Sequence, residues 1–427
     1  MKKILMLLTL LAVAVPTAAR AETGETDASF GSGGRIATAV DLGVPWNRAR
    51  VRVAIGPAGR IVVGAESTLV AYREDGQLDQ TFGMGGFLSV ATPGPPRFRL
   101  TDVGIDPMGR IVAVGTAGAG RLSQVAIFRY LPSGAPDLSF GGGDGTVLTG
   151  RSTIAAAGWV DAEGRIVVAA GPGNGSGPCR RTGGSRRDPL VMRLNPDGSR
   201  DFSFGKFGVQ SLAPLERVVA MSPTPQGGFI FAGPSGRDCG RRPLDAVIRL
   251  RDDGSRVGRF GEGGAVWFKP AIAVAAVDNH GRIVVVFAAI PHGHNEEETV
   301  VQRLLPDGRD DRAFYDGGIG FRDRGHFDWK SVPIRNGDRP ILVGTLTLSK
   351  RIPPSFIAAP MRESGPLEWQ ASSWRGWEWK ERLGRASRTI AGAGLIDARG
   401  RLLVAGTVDH SPLAPQGGFA LVRFELS

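Results

Sequence analysis

The chain has 427 residues, 42% hydrophobic and 22% charged, with 63 glycines, 29 prolines, two cysteines and a formal net charge of +11. A normal apolar fraction, with glycine in no fixed short period, excludes both a collagen-like fibre and a disordered chain. Two cysteines exclude a disulfide-dense scaffold, and beyond the first residues no stretch is long and apolar enough to span a bilayer as a helix.

At the N-terminus, Lys2 and Lys3 precede an apolar run from Ile4 to Val15, and Ala19-Arg20-Ala21 offers a small-residue cleavage site. This layout predicts a secretory signal peptide over residues 1–21, and hence an exported protein, periplasmic or extracellular. Its removal takes away Lys2, Lys3 and Arg20 and leaves a net charge of +8. A surplus of that size draws acidic partners: anionic polysaccharide, lipid headgroups or nucleic acid.

From residue 27 onward one unit recurs. Gly-Arg followed by an apolar run stands at Gly59-Arg60, Gly109-Arg110, Gly164-Arg165, Gly281-Arg282 and Gly400-Arg401, with degenerate copies at Gly227-Gly228 and Gly337-Asp338-Arg339. A period of roughly 50 to 63 residues marks an array of small units, none able to bury its apolar face alone. Each unit opens on an alternating strand, as in Val51-Arg52-Val53-Ala54-Ile55, that enters a glycine-proline turn. The run after Gly-Arg, as in Ile61-Val62-Val63 or Ile283-Val284-Val285-Val286, is apolar on both faces and needs cover on both. A third strand, Leu69-Val70-Ala71-Tyr72-Arg73, enters Glu74-Asp75-Gly76.

Then comes an Asp-x-x-Phe-Gly element, at 27–31, 79–83, 137–141 and 201–205, with weaker forms at Phe260-Gly261 and Phe314. The phenylalanine is expected to plug the gap between adjacent units while its glycines permit close backbone approach. A short fourth strand follows, as in Gly86-Phe87-Leu88-Ser89-Val90.

Seven units of four strands predict an all-β fold, a seven-bladed β-propeller of four-stranded antiparallel blades. It forms one domain over residues 22–427, with blades beginning near 48, 99, 152, 215, 270, 328 and 388. The chain ends are complementary: a strand within 27–40 and a third strand from Phe419 to Phe424 together make one blade. The N-terminal strand is therefore expected to complete the seventh blade as its outer strand, closing the ring and removing two free edges. The repeat is faintest between Gly325 and Lys380, in the sixth blade.

The pattern Asp-Gly-x-Leu-Asp-x-x-Phe-Gly-x-Gly-Gly at 75–86, with Asp-Pro-x-Gly-Arg-Ile-Val at 106–112, resembles the delta-60 repeats of exported bacterial proteins. The Phe-Gly turn ahead of the next inner strand is also similar to propellers of the NHL type. The resemblance implies a propeller and names no chemistry, because its motif consists of turn and core residues.

In such a ring the loops alternate between two faces. The Gly-Arg turns and the Asp-Gly-to-Phe-Gly turns share a short, regular face. The loops from second to third strand and the blade-to-blade connections share a long, irregular one, where grafted function resides. Cys179 and Cys239 lie there, in equivalent loops of the third and fourth blades. A disulfide closing a loop of about 60 residues is expected as a staple, worth about 4 kcal/mol. Around them Arg180, Arg181, Arg186, Arg187, Arg237, Arg241 and Arg242 form a candidate anion-binding set, through bidentate guanidinium contacts. No aromatic side chains interleave with them, which argues against single-stranded nucleic acid.

In the corresponding loop of the fifth blade, His292 and His294 beside Glu296, Glu297 and Glu298 are a candidate metal pair, set against a solvated polar loop. The Asn195 to Asp201 turn has the look of a calcium loop but lacks its later oxygen ligands, and its recurrence in each unit favours turn chemistry. Trp369, Trp374, Trp377 and Trp379 offer either sugar stacking or packing between blades, and the alternation of Trp377 and Trp379 favours packing.

No nucleophile elbow, His-Glu-x-x-His, phosphate loop or dinucleotide fingerprint occurs, and five histidines are scattered over different units. The expectation is an exported, monomeric, non-catalytic binding module without cofactor. Its ligand would be anionic, an acidic polysaccharide or another envelope component. Two alternatives stay open: a metal-dependent lyase or hydrolase with its site at the axis or on the irregular face, and a cell-envelope scaffold. Carboxylates or histidines converging on the axis would mark the enzyme, and a continuous arginine surface around an empty axis the binding module.

Overall fold

The alternating and the fully apolar segments pair as antiparallel strands in a computed structural model that describes residues 25–90, 98–151, 153–172, 188–235, 244–269, 271–289, 297–314, 319–323, 326–335, 338–347, 354–361, 388–409 and 417–426. The first blade pairs Arg52–Ile55, Ile61–Ala65, Thr68–Tyr72 and Phe87–Ser89 in chain order. The second pairs Phe98–Ile105, Ile111–Ala117, Gln124–Tyr130 and Thr146–Arg151, and the third Thr153–Val160, Ile166–Pro172, Leu190–Leu194 and Val209–Ser211. Ala220–Pro223, Phe229–Pro234, Asp245–Leu250 and Ala265–Phe268 make the fourth. Ile272–Val277, Ile283–Ala289, Glu297–Leu304 and Ile319–Asp323 make the fifth.

The sixth blade departs from the pattern. His326–Ser331 and Ser355–Pro360 flank Arg339–Thr347, and the two-residue strand Ile334–Arg335 pairs with the start of Arg339–Thr347. In the seventh, Arg388–Ile396, Leu402–Asp409 and Gly418–Glu425 are completed by Arg35–Ala39, in register from Arg35 opposite Val422 to Ala39 opposite Gly418. The strand at the start of the chain thus closes the last blade. First strands of successive blades touch one another all the way round, the seventh against the first. The result is an all-β propeller of seven four-stranded blades with a closed ring.

The core of this ring lies between the blades. Seven apolar clusters form, each drawing on two adjacent blades, as Phe82 of the first does with Phe98 and Ile111 of the second. The second strands are covered on both faces, so Ile61, Val62 and Val63 are fully buried. Phe30, Phe82, Phe140, Phe204, Phe260 and Phe314 are each 0% exposed and plug the seams as their motif predicts. Burying each such ring stabilises the seam by about 1.5–3 kcal/mol.

The plug works because glycines let the backbones meet. The Phe-Gly glycine amide donates to the turn of the following blade, as Gly83 N does to Ser133 O at 2.8 Å. Gly134 in that turn has φ 85°, and a Cβ there would sit 2.8 Å from Gly83 N. Any side chain at Gly134 would push the first two blades apart.

Candidate functional site

On the regular face the repeat builds one device at seam after seam. In the second blade, Arg129 occupies the third strand and is 2% exposed. Its Nε donates to Asp137 Oδ2 at 2.8 Å and its Nη2 to Ser139 Oγ at 3.1 Å, while its Cζ lies 4.5 Å from the Phe140 ring centroid. The third donor, Nη1, crosses the seam to the Pro196 carbonyl of the next blade. Asp137 Oδ1 meanwhile takes the Ser139 amide and hydroxyl at 3.0 and 2.7 Å.

Every residue of Asp-x-Ser-Phe-Gly therefore has an assignment. The aspartate holds the guanidinium, the serine closes a turn on the aspartate, the ring stacks on the cation, and the glycine meets the next blade. Desolvation is the largest influence on the Asp137 carboxyl and raises its pKa. The two Ser139 bonds and the Arg129 charge outweigh it and bring the carboxyl below its ordinary range, as the equivalent bonds do at Asp27, Asp79 and Asp201.

The clasp recurs with informative substitutions. Arg193 pairs with Asp201 at 2.6 Å and crosses to Asp252 O at 2.5 Å, and Arg423 pairs with Asp27 and crosses to Glu74 O. The first blade carries Ala71 at the arginine position. There Arg60 of the Gly-Arg turn fills the seat, bonding Asp79 at 2.8 Å through Nε and Pro132 O at 2.7 Å. The sixth blade has Ala359 at that position, and Arg335 reaches Leu426 O at 2.5 Å instead.

In the fourth blade Val257 replaces the aspartate. Arg249 still crosses to Pro306 O at 2.6 Å, but its remaining contact is Gln226 Oε1 at 3.0 Å. Burial, and then the Arg251 charge, lower its pKa. In the fifth, Arg303 pairs with Asp311 at 2.7 Å, and its buried Nη1 meets no hydrogen-bond partner among the described residues. The arginines of the Gly-Arg turns form a second tier, with Arg110, Arg165, Arg282 and Arg401 bonding the aspartate four residues earlier at 2.5–2.7 Å.

Where the ring closes, this face holds an open depression of about 460 Å³ between Arg73, Glu74, Arg399 and Arg401. Glu74 Oε1 there accepts from Arg399 and Arg401, each at 3.0 Å. At the axis, polar links join the first three blades. Arg52 Nε donates to Thr101 O at 2.8 Å, Thr101 Oγ1 to Ala155 O at 3.3 Å, and the Gly158 amide to Asp102 Oδ2 at 3.3 Å. Desolvation raises the Asp102 pKa against the pull of Arg52 and of the Gly158 and Val103 amides. Among the described residues, no three His, Cys, Asp or Glu side chains are grouped as metal ligands would be.

The site residues predicted from sequence all fall outside the described residues: Cys179, Arg180, Arg181, Arg186 and Arg187 within 173–187, Arg237, Cys239, Arg241 and Arg242 within 236–243, and His292 and His294 within 290–296. Trp369, Trp374, Trp377 and Trp379 also lie outside them. The stems of the two arginine-rich loops are described. Ser235 N and Oγ bond Leu244 O at 2.9 and 2.7 Å, which pins the ends of 236–243 together. The connection between third and fourth blades then ties both stems to one short stretch, because Leu212 N donates to Pro189 O and Glu216 N to Pro234 O, each at 2.8 Å. Four residues of chain span at most about 14 Å.

The clasp itself escaped the reading of the sequence. Its signal is a fixed spacing, an arginine eight residues before the aspartate of the Phe-Gly element, at 129 and 137, 193 and 201, and 303 and 311. A charged residue inside an otherwise apolar strand was the visible mark.

A family described as a beta-propeller domain of unknown function, DUF5122, matches residues 109–140 and 163–204, in the second and third blades. No curated protein matches the chain. Among solved structures, the chain is similar to the PQQ-bound aldose sugar dehydrogenase of Streptomyces coelicolor, at 14% identity over 72% of this chain and 90% of that one, with a TM-score of 0.40. The calcium-binding protein regucalcin of Agrobacterium tumefaciens is 12% identical over 72% and 85%, at 0.36. Extracellular domains 1–2 of Drosophila Semaphorin 1b are 9% identical over 90% and 87%, at 0.44. None of these identities or scores assigns a function.

Proposed function

We propose that this β-propeller repeat protein is an exported, non-catalytic binding module of the delta-60 type that holds an anionic ligand on the face opposite the clasps. The ligand class is an acidic polysaccharide or a similar envelope component with repeated carboxylates or sulfates. The observation that carries the reading is the common anchorage of two loop stems, Pro189 and Pro234, on the stretch from Leu212 to Glu216. Residues 173–187 and 236–243 hold seven arginines against the single acid Asp238, more than half of the chain's formal +11.

The clasp face contrasts with this. Arg60, Arg129, Arg193, Arg303 and Arg423 each spend their charge on an aspartate there. A multivalent anion therefore gains most from the loops, where planar guanidinium groups bind it bidentately. A bridge between Cys179 and Cys239 would restrict both loops, and the basic, apolar, small-residue start of the chain supports an oxidising destination for it.

The test is retention on immobilised dextran sulfate, with plain dextran as control. The protein should bind at low salt and elute as ionic strength rises. Replacing Arg180, Arg181, Arg186, Arg187, Arg237, Arg241 and Arg242 by serine should lower the eluting salt concentration several-fold without lowering the unfolding midpoint. Equal elution of the two proteins, or no retention of the native one, would sink the reading.

A further inference from the structure

The regular face carries a second feature that the clasps do not use. The five most exposed large apolar side chains among the described residues are Met84, Met108, Phe202, Phe207 and Leu138, at 88, 72, 70, 67 and 66%. All five stand in regular-face turns of the first three blades. The next, Leu122 at 64%, stands on the opposite face between the second and third strands of the second blade, but five together in the turns of three neighbouring units exceed a random scatter.

Phe207 is the most telling. The repeat places glycine at this point of Phe-Gly-x-Gly-Gly, as Gly33, Gly85 and Gly263, with φ of 59°, 64° and 63°. Phe207 holds the same left-handed backbone, at φ 55°. A bulky residue is strained there, and with two-thirds of its surface exposed it recovers little by packing within the chain. Phe202 leaves the same turn, at a position filled by Ala28 in the seventh blade and Gln80 in the first.

The apolar tips are convex, so a rigid partner would need matching pockets, whereas a fluid surface yields around them. A second copy offers no such seat in the depression at the ring closure, which charged side chains line. Exposed cations stand beside the tips, with Lys206 next to Phe207 and Arg200 extended over Gly208, where a Cβ would meet its Cγ at 2.3 Å. The exposed acids of this face are held within it: Asp75, Asp144 and Asp197 bond amides of their own turns, and Glu163 pairs with Arg165 at 3.3 Å. Apolar tips flanked by basic stems match a headgroup layer of negative charge.

We propose that the regular face of the first three blades docks on an anionic lipid surface. Phe202 and Phe207 enter below the headgroups, and Lys206 and Arg200 meet the lipid phosphates. The surface is distinct from the arginine loops on the opposite face and does not depend on them.

Co-sedimentation with vesicles of phosphatidylglycerol and phosphatidylcholine, against phosphatidylcholine alone, tests this. The native protein should pellet with the anionic vesicles only. Phe207→Gly restores the residue the repeat uses, so it should keep or raise the unfolding midpoint while weakening vesicle binding about tenfold. The loop-arginine variant should pellet like the native protein. Three results would overturn the proposal: no pelleting with either vesicle, equal pelleting with both, or unchanged pelleting of Phe207→Gly. Loss of pelleting in the loop-arginine variant alone would move the contact to the opposite face. A concentration-dependent dimer in sedimentation velocity that Phe207→Gly abolishes would reassign the patch to self-association.

Discussion

Arg60 and Arg335 replace third-strand arginines from a different part of their blades, so the ring requires a guanidinium at a place in space and not at a place in sequence. A buried cation of this kind is stable only while its partners are present, and removing one side of such a pair typically costs about 3–5 kcal/mol. The fourth blade already lacks that side, and Val257→Asp should supply it. Val257 N bonds Arg249 O at 3.0 Å, as Asp201 N bonds Arg193 O at 3.0 Å, so the backbone is set for the carboxylate. The variant should gain about 1 kcal/mol at pH 7, after the loss of some apolar contact, and nothing at pH 2, where the new group is protonated. Urea unfolding at the two pH values measures this, and a lower midpoint at pH 7 would refute it. The clasp stayed hidden in the sequence because an arginine within an apolar strand has the look of a polar strand end. Only the fixed eight-residue distance to aspartate betrays it.

Clasps with an aspartate join the first to the second, the second to the third, the third to the fourth and the seventh to the first blade, and they set the response to acid. The carboxyls of Asp27, Asp79, Asp137 and Asp201 lie below the ordinary range in the folded ring. Their contribution is complete above about pH 4 and is lost as pH falls through their folded values. Asp102 and Asp245 act in the opposite sense, since burial raises both and their protonation favours the fold. Asp197, Asp253 and Asp307 are lowered as well, so with seven carboxyls against two the urea midpoint should fall steeply between pH 4 and pH 2, and a midpoint that holds to pH 3 would contradict the assignment. The strands themselves were legible in the sequence, because turn glycines and doubly apolar runs obey local steric rules. The sixth blade was faint for the same reason: its sequence lacks the Phe-Gly element.

At the scale of the whole molecule, closure depends on Gly418–Glu425, which receives both Arg35–Ala39 and Glu25–Thr26. A chain ending at Asp409 should lose those partners together with the Arg423 clasp. Limited trypsin digestion followed by mass spectrometry should then release peptides from residues 25–50 early, while the full chain holds them. Equal resistance would mean that the first strand does not close the ring. Complementary ends made closure legible in advance, whereas the loops of 173–187 and 236–243 follow no repeat, and composition alone marks them. The clasps also all point the same way round, and this gives the ring a direction in time. Arg60, Arg129, Arg193, Arg249 and Arg335 each precede in the chain the carbonyl that accepts from them, so these five blades reach forward to a successor. Glu74 alone is made first and waits, 349 residues, for Arg423. Folding should therefore become complete only when Gly418–Glu425 takes its place between the seventh blade and the strand Arg35–Ala39.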